Sequence, residues 1–179
     1  QITDFLDEEY QCKLNTSSDT EIVDHFEELL VSSVTSHLLS DAPIGALCSG
    51  GVDSSLILAI AAKQNPALQL FHSDVVGRNS EKEAASLLAE HLKLELHAVA
   101  VRDQDFITDM PRVTDHYGQP FLYHPNSVPF LKVTDLVRQN QVKAILTGEA
   151  ADECFLGYGY LPTEDFIASL NSKLGYLRP

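Results

Sequence analysis

The sequence predicts an α/β protein, a doubly wound parallel sheet of about five strands with helices on both faces. Short apolar runs, typical of buried strands, alternate along the chain with segments whose apolar residues recur at helical spacing. Such alternation indicates βαβ units, whose right-handed crossovers place helices on both faces of the sheet. The 179 residues are enough for one domain of this kind with a hydrophobic core.

The first half of the chain begins with a lead-in and then alternates helix and strand. Residues 1–18 lack periodicity, and Ser18 with Glu21 forms a predicted capping box at the start of the first helix. The Asn65-Pro66 pair ends the second helix, because the residue before a proline avoids the helical conformation. The predicted elements of this half are the helix 19–39, the strand 44–48, the helix 54–64, the strand 68–76 and the helix 81–93.

The second half continues the alternation as far as a fourth strand. Its predicted elements are the strand 94–101, the helix 105–116, the loop 117–126, the helix 127–140, the strand 142–147 and a loop from Gly148 onward. In parallel sheets, ligands bind beyond the carboxyl ends of the strands, where the strand order reverses. The loops 49–55 and 147–153 follow the first and fourth strands, so we expect both at that edge of the sheet.

The composition argues against several classes of protein. Acidic residues outnumber Lys and Arg by 26 to 12, and the formal charge of −14 opposes a nucleic-acid-binding surface. The longest apolar run, around 56–62, is far shorter than the ~18–20 residues that span a bilayer. The cysteines, Cys12, Cys48 and Cys154, are odd in number and form no CxxC pair, which opposes a disulfide framework or a zinc site. We therefore expect a cytoplasmic protein that binds neither nucleic acid nor membrane.

The first loop, Ser-Gly-Gly-Val-Asp-Ser-Ser at 49–55, has the residue types of a phosphate site. Gly50 and Gly51 let the main chain approach a ligand closely, and the N–H groups of the helix start suit an anion. Hydroxyl donors come from Ser49, Ser54 and Ser55. Asp53 would repel a bare phosphate, so its best use is to hold Mg²⁺. The structural alternative is a Gly-Gly turn in which Asp53 and Ser54 cap the helix.

The loop lacks the GK[ST] of a Walker motif and resembles the SGGxDS signature of the PP-loop, or N-type, ATP pyrophosphatases. A second segment, TGEAADECFLGY at 147–158, resembles the [ST]GEGADExFGGY segment of the asparagine synthetase family. The resemblance covers approximately 19–160. It implies an adenine nucleotide alpha hydrolase-like (HUP-type) fold, ATP and Mg²⁺ as cofactors, and a carbon–nitrogen ligase that splits ATP into AMP and pyrophosphate.

The resemblance also assigns roles to individual residues. Asp53 and Asp152 would share the magnesium that bridges the phosphates, and two carboxylates suit that ion. Glu149 would be the base that takes a proton from the attacking amine or ammonia. For the acids of the second loop, the alternative is a helix N-terminus enriched in negative charge.

The remaining site residues follow from the same resemblance. Backbone groups of Leu47, Val76 and Gly148, with Thr147 at the start of the second loop, would contact the adenine and ribose. Leu47 and Val76 could equally be plain core residues. Ser127 lies in a stretch that resembles the family's EPF…PSxxP segment and would lie near the substrate or pyrophosphate.

The sequence departs from the family pattern at three positions. Ala150 and Leu156 replace glycines of the second segment, and Gly118 replaces an acidic residue often found before the EPF stretch. If Ala150 takes a positive φ, strain of ~1 kcal/mol or more follows. These departures bear on the acceptor substrate more than on ATP binding.

Partners and domain limits are also expectations from the resemblance. The substrates would be a carboxylate, aspartate by analogy, and ammonia supplied by a glutaminase domain or subunit, with a homodimer as the assembly. We expect 1–18 to be a linker and 19–179 a PP-loop synthetase domain truncated at its C-terminus. A non-catalytic nucleotide-binding member of the fold is the alternative. A PP-loop enzyme acting on tRNA is a third, opposed by the acidic charge and the lack of CxxC.

Overall fold

The computed structural model describes residues 16–77, 80–119, 126–155 and 157. Their elements are, in chain order, α1 (Asp19–His37), β1 (Ile44–Leu47), α2 (Val52–Gln64), β2 (Gln69–Val75), α3 (Lys82–Leu92), β3 (Leu96–Val101), α4 (Asp103–Tyr117), α5 (Ser127–Gln139), β4 (Ala144–Leu146) and α6 (Ala151–Phe155). The predicted alternation of helix and strand is confirmed. The second and fourth predicted helices begin earlier than expected, with α2 starting at Val52 and α4 at Asp103.

The four strands of the described residues form one parallel sheet in the order β3-β2-β1-β4. The chain runs outward from β1 through β2 to β3, and then returns to place β4 on the other side of β1. The strand order therefore reverses between β1 and β4, which is where open α/β sheets bind ligands. The sheet of the described residues thus has four strands, and the sequence predicted about five.

Helices cover both faces of this sheet, as predicted. Ala46 and Leu70 are paired neighbours and fully buried against apolar residues of α1, α2 and α3. Phe71, one position further along β2, belongs to the opposite face, where it packs with Val133 and Val137 of α5. The alternation arises because successive strand residues point to opposite faces. No helix among the residues described combines the length and apolarity that crossing a bilayer requires.

The predicted capping box at the start of α1 is present. The Ser18 backbone N–H donates to Glu21 Oε2 at 2.8 Å, and the Glu21 N–H donates to Ser18 Oγ at 3.4 Å. The hydrogen bond from the Ser18 backbone lowers the pKa of the Glu21 carboxyl. Two of the N–H groups left unpaired at the helix start are thereby satisfied, which fixes where α1 begins.

An ion cluster joins α4 to α5, the helix that forms one wall of the cavity described below. Lys132 Nζ lies 2.7 Å from Asp105 Oδ1 and 3.2 Å from Asp109 Oδ2. Arg112 bridges the same helices, at 2.9 Å from Asp135 and 3.3 Å from Asp109. The Lys132 hydrogen bond lowers the pKa of Asp105, with help from the Arg102 backbone N–H, and the same bond raises the pKa of Lys132.

We expect Lys132→Met to lower the melting temperature modestly, since the cluster is partly exposed. Asp105 has a lowered folded pKa, so its contribution is present above its ordinary value of about 4 and disappears as the pH falls through the folded pKa. The raised Lys132 pKa keeps the pair intact up to about pH 10. The melting temperatures of the wild type and of Lys132→Met should differ by a constant amount around neutral pH and become equal in acid. A difference that persists unchanged in acid would contradict the assignment.

Candidate functional site

A cavity of about 340 Å³ opens at the carboxyl edge of the sheet, at the switch between β1 and β4. Both predicted loops line it, together with the ends of β1 and β2 and the first turns of α5. The sequence-predicted site residues that line it are Leu47, Ser49, Gly51, Asp53, Ser54, Thr147, Gly148, Glu149 and Asp152. Two segments about a hundred residues apart in the chain thus contribute to one cavity, as expected for loops at one sheet edge.

Four other predicted residues do not line the cavity. Gly50 and Ser55 belong to the first loop but are not among the lining residues. Ser127 begins α5 between two residues that do line the cavity, Asn126 and Pro129. Val76 is half exposed, and its backbone N–H donates to Val101 O at 2.9 Å. Their roles in ligand binding stay predictions.

The first loop packs directly on the start of α3. Gly50 has a φ of +85°, and a Cβ built on it would lie 2.7 Å from Ala84 Cβ and 2.9 Å from the Ala85 backbone N. Both the conformation and the contact exclude a side chain. A glycine is therefore required at this position for close packing, independently of any ligand.

The serine hydroxyls of the loop are engaged within it. Ser54 Oγ and Ser55 Oγ donate to the Gly51 carbonyl at 3.1 and 2.6 Å, and Ser49 Oγ lies 2.8 Å from Ser54 Oγ. Gly51 is the N-cap of α2 and has no side chain to cap it, and its N–H donates to Ser49 Oγ at 3.2 Å, so the alternative in which Asp53 and Ser54 cap the helix is wrong. The uncapped helix start leaves backbone N–H groups as the donors best placed for an anion.

The second loop touches the first through Gly148. A Cβ built on Gly148 would lie 3.1 Å from Ser54 N and 3.3 Å from Ser54 Cα, in the first turn of α2. A larger residue would therefore separate the two loops. This contact brings Glu149 and Asp152 to the same cavity as Asp53.

Ala150, which replaces a glycine of the family pattern, has a φ of +72°. The condition for strain at this residue is thus met, and the expected cost is ~1 kcal/mol or more for a residue with a Cβ. The Cys154 N–H donates to the Ala150 carbonyl at 3.1 Å, so the strained residue directly precedes the first turn of α6.

We expect Ala150→Gly to leave the free energy of unfolding unchanged or to raise it by up to about 1 kcal/mol, because relief of strain offsets the greater freedom of the unfolded chain. The matched control is Ala151→Gly, one residue later at the first position of α6, which should lower it by up to about 1 kcal/mol. Urea unfolding of the three proteins measures both. Equal destabilisation by the two changes would show that Ala150 carries no strain.

The cavity is strongly acidic. Its charged lining residues are Asp53, Glu81, Glu149, Asp152 and Glu153, and no Lys or Arg of the described residues lines it. A triphosphate would be repelled there without a cation. Oxygen ligands from two carboxylates fit Mg²⁺, which keeps waters and phosphate oxygens for the rest of its shell. The described residues contain no group of three or more His, Cys, Asp or Glu that alone could hold a metal ion.

Sequence reasoning missed part of the wall. Phe71, Phe130 and Val133 give the cavity an apolar side next to the polar loops. The sequence pattern predicts a strand at Phe71 and a helix at Phe130 and Val133. Periodicity does not show which apolar residues of these elements lie next to a ligand. His72 and Cys48 also line the cavity, and burial raises the pKa of the Cys48 thiol.

The fold and the two loops define the class of protein, a PP-loop α/β domain of the HUP type. The chain belongs to the asparagine synthase family, whose model matches residues 25–175. It is 29% identical over 143 residues to asparagine synthetase [glutamine-hydrolyzing] 1 of Bacillus subtilis, covering 79% of this chain and 22% of that protein. It is 32% identical over 150 residues to asparagine synthetase B [glutamine-hydrolyzing] of Escherichia coli, covering 74% of this chain and 26% of the relative.

Solved structures show the same fold in more distant proteins. The glutamine-dependent NAD⁺ synthetase of Acinetobacter baumannii, solved with ADP, matches with a TM-score of 0.51 at 19% identity, over 72% of this chain and 26% of that one. Likeness at this level of identity concerns the fold alone. The chain spans about a quarter of the length of the curated relatives it matches.

Proposed function

We propose that this domain binds ATP with Mg²⁺ and activates a carboxylate as its adenylate, for amide formation by the whole protein. The observation that carries the proposal is the meeting of the two family motifs at one cavity, with Gly148 of the second loop against Ser54 of the first. The cavity lies at the topological switch point, the usual ligand site of such sheets. Its acidic lining favours a phosphate compound accompanied by a cation.

In this proposal the uncapped start of α2 and the backbone of the glycine loop receive the phosphates. Asp53 and Asp152 would hold the Mg²⁺, which offsets the charge of the phosphates when bound. A substrate carboxylate oxygen attacks the α-phosphorus, and the bond from that phosphorus to the bridging oxygen breaks as pyrophosphate leaves. The adenylated carboxylate is then open to attack by a nitrogen nucleophile.

Glu149 serves the second half of the reaction. The nitrogen forms a bond to the carbonyl carbon, the bond from that carbon to the AMP oxygen breaks, and Glu149 accepts the proton that the nitrogen loses. Its position at the start of the second loop, in the wall of the same cavity as Asp53, supports this role. Product release then leaves Glu149 to return the proton to water.

For the substrates, we propose aspartate and ammonia, with asparagine as product and a glutaminase region of the whole protein as the ammonia source. The names of the relatives support this. A second candidate is a member with another carboxylate substrate or without turnover. The alanine at a φ of +72°, where the family pattern has glycine, favours it, because a strained loop changes the wall next to Glu149.

The experiment uses the complete protein with ATP, Mg²⁺, ammonia and a panel of carboxylates, followed by ³¹P NMR. AMP and pyrophosphate that form only with aspartate would support the asparagine-forming reaction. Their formation with another member of the panel would support an altered substrate. ATP binding without turnover across the panel would favour the non-catalytic reading, and absence of ATP binding would contradict both.

A further inference from the structure

His72 is a buried histidine in β2 that the reaction described above does not use. The residue is only 4% exposed, and it is one of those that line the cavity. Its Nδ1 lies 2.7 Å from the carbonyl oxygen of Cys48, the residue immediately before the Ser49–Ser55 loop. The histidine therefore contacts the main chain at the point where the phosphate loop leaves the sheet.

The hydrogen bond defines the form of the ring. A carbonyl oxygen only accepts, so Nδ1 must carry the hydrogen, and in the neutral ring Nε2 is then a bare acceptor. Among the described residues, Nε2 is buried and has no hydrogen-bond partner. A buried acceptor without a partner is unfavourable, so the Nε2 side of the ring contributes nothing favourable among the described residues. The hydrogen bond from Nδ1 to the Cys48 carbonyl is the interaction that the histidine supplies at this position.

Three hydrogen bonds fix Cys48, the residue immediately before the Ser49–Ser55 loop. Its N–H donates to Phe71 O at 2.8 Å, its thiol to Ala85 O at 3.7 Å, and its carbonyl accepts from His72. Strand β1 ends at Leu47, so the regular ladder stops here. The His72 ring supplies a hydrogen bond to the carbonyl where the chain turns away from β2.

We propose that His72 is a positioning residue for triphosphate binding: it holds the Cys48 peptide through Nδ1–H and so sets the direction in which the phosphate loop leaves β1. The inference rests on the proposed function, because it assumes that the loop receives the phosphates of ATP. In this proposal His72 acts on the phosphate contacts, whereas the adenosine part of the ligand would contact the backbone of Leu47, Val76 and Gly148. Loss of the hydrogen bond should therefore weaken ATP binding and spare AMP.

The test measures dissociation constants for Mg-ATP and for AMP by titration calorimetry on the complete protein and its variants. His72→Phe removes the donor, and His72→Gln places its amide beyond the Nδ1 position. Both should weaken ATP binding about tenfold, the effect of one lost hydrogen bond. His72→Asn, whose amide N–H can occupy the Nδ1 position, should stay within about threefold of the wild type. AMP affinity should be unchanged in all three.

The control is His97→Phe on β3, outside the cavity lining; its Nε2 lies 3.7 Å from Glu95 Oε1 and likewise has no hydrogen-bond partner among the described residues. It should leave ATP affinity at the wild-type value. Wild-type ATP affinity in His72→Phe, or equal losses of ATP and AMP affinity, would overturn the proposal. So would an Asn variant no better than the Gln variant.

Nitrogen NMR of the wild-type protein measures the tautomer of the His72 imidazole directly, and this test does not depend on the folding of any variant. A protonated Nδ1 and a bare Nε2 are expected, and the opposite tautomer would overturn the positioning role whatever the affinities show. Failure of the wild type to bind ATP would instead remove the proposed function, on which this inference rests. Failure of the His72 proposal can therefore be distinguished from failure of the proposed function.

Discussion

Asp53→Asn should weaken the binding of Mg-ATP by about a hundredfold while improving the binding of metal-free ATP. Loss of a carboxylate from a magnesium site costs at least the 10–100-fold typical of changes around bound metals. Without the metal, the same carboxylate in the first turn of α2 only repels the phosphates. The two affinities are expected to change in opposite directions. This makes the prediction specific, since a general structural defect would weaken the binding of both Mg-ATP and metal-free ATP.

Titrations of the complete protein with ATP, in the presence of Mg²⁺ and of EDTA, measure the two effects. Asp152→Asn should behave in the same way, because it contributes to the same cavity from the second loop. Asp115→Asn, an exposed charge-matched change in α4, should alter neither affinity. If both cavity variants bind Mg-ATP as the wild type does, Asp53 and Asp152 are not the magnesium ligands.

The second large effect is expected for Glu149→Gln. The variant should bind ATP normally and still form the adenylate, but its amide formation should fall by about 10²–10⁴, the usual contribution of a general base. The change keeps the size of the side chain and removes only its capacity to accept a proton at neutral pH. Exchange of labelled pyrophosphate into ATP reports the first step, and amide product reports the second.

A matched control is Glu90→Gln on the exposed side of α3, which should change neither rate. If pyrophosphate exchange and amide formation fall together, Glu149 acts in substrate or nucleotide binding and not in proton transfer. Amide formation near the wild-type rate would exclude it as the base.

Much of the fold follows from local patterns. The alternation of apolar strands and amphipathic helices predicted the α/β class and most boundaries within a few residues. Ser18 and Glu21 predicted the capping box that begins α1, and Ala150, in place of a family glycine, marked a position where a positive φ would cause strain. In each case the physical cause lies within a few residues of the chain, so it is visible in the sequence.

Other features depend on contacts between distant segments, and the sequence did not predict them. The order β3-β2-β1-β4 depends on how helices pack across the sheet, which no local pattern encodes. The sequence predicts that Gly50 lets a ligand approach the main chain, but it does not predict the close packing of Gly50 on Ala84 and Ala85 of α3. His72 stood within an apolar strand, and only the three-dimensional structure shows its contact with the Cys48 carbonyl.

The central claim is that ATP is attacked at its α-phosphorus by a carboxylate, in the cavity shared by the two loops. The most direct measurement supplies the complete protein with ¹⁸O-labelled aspartate, ATP, Mg²⁺ and ammonia, and locates the label by ³¹P NMR. One ¹⁸O in the phosphate of AMP is the predicted result, because the carboxylate oxygen that attacks phosphorus stays with it when the amide forms. Label in inorganic phosphate, or AMP that forms without label, would contradict the account.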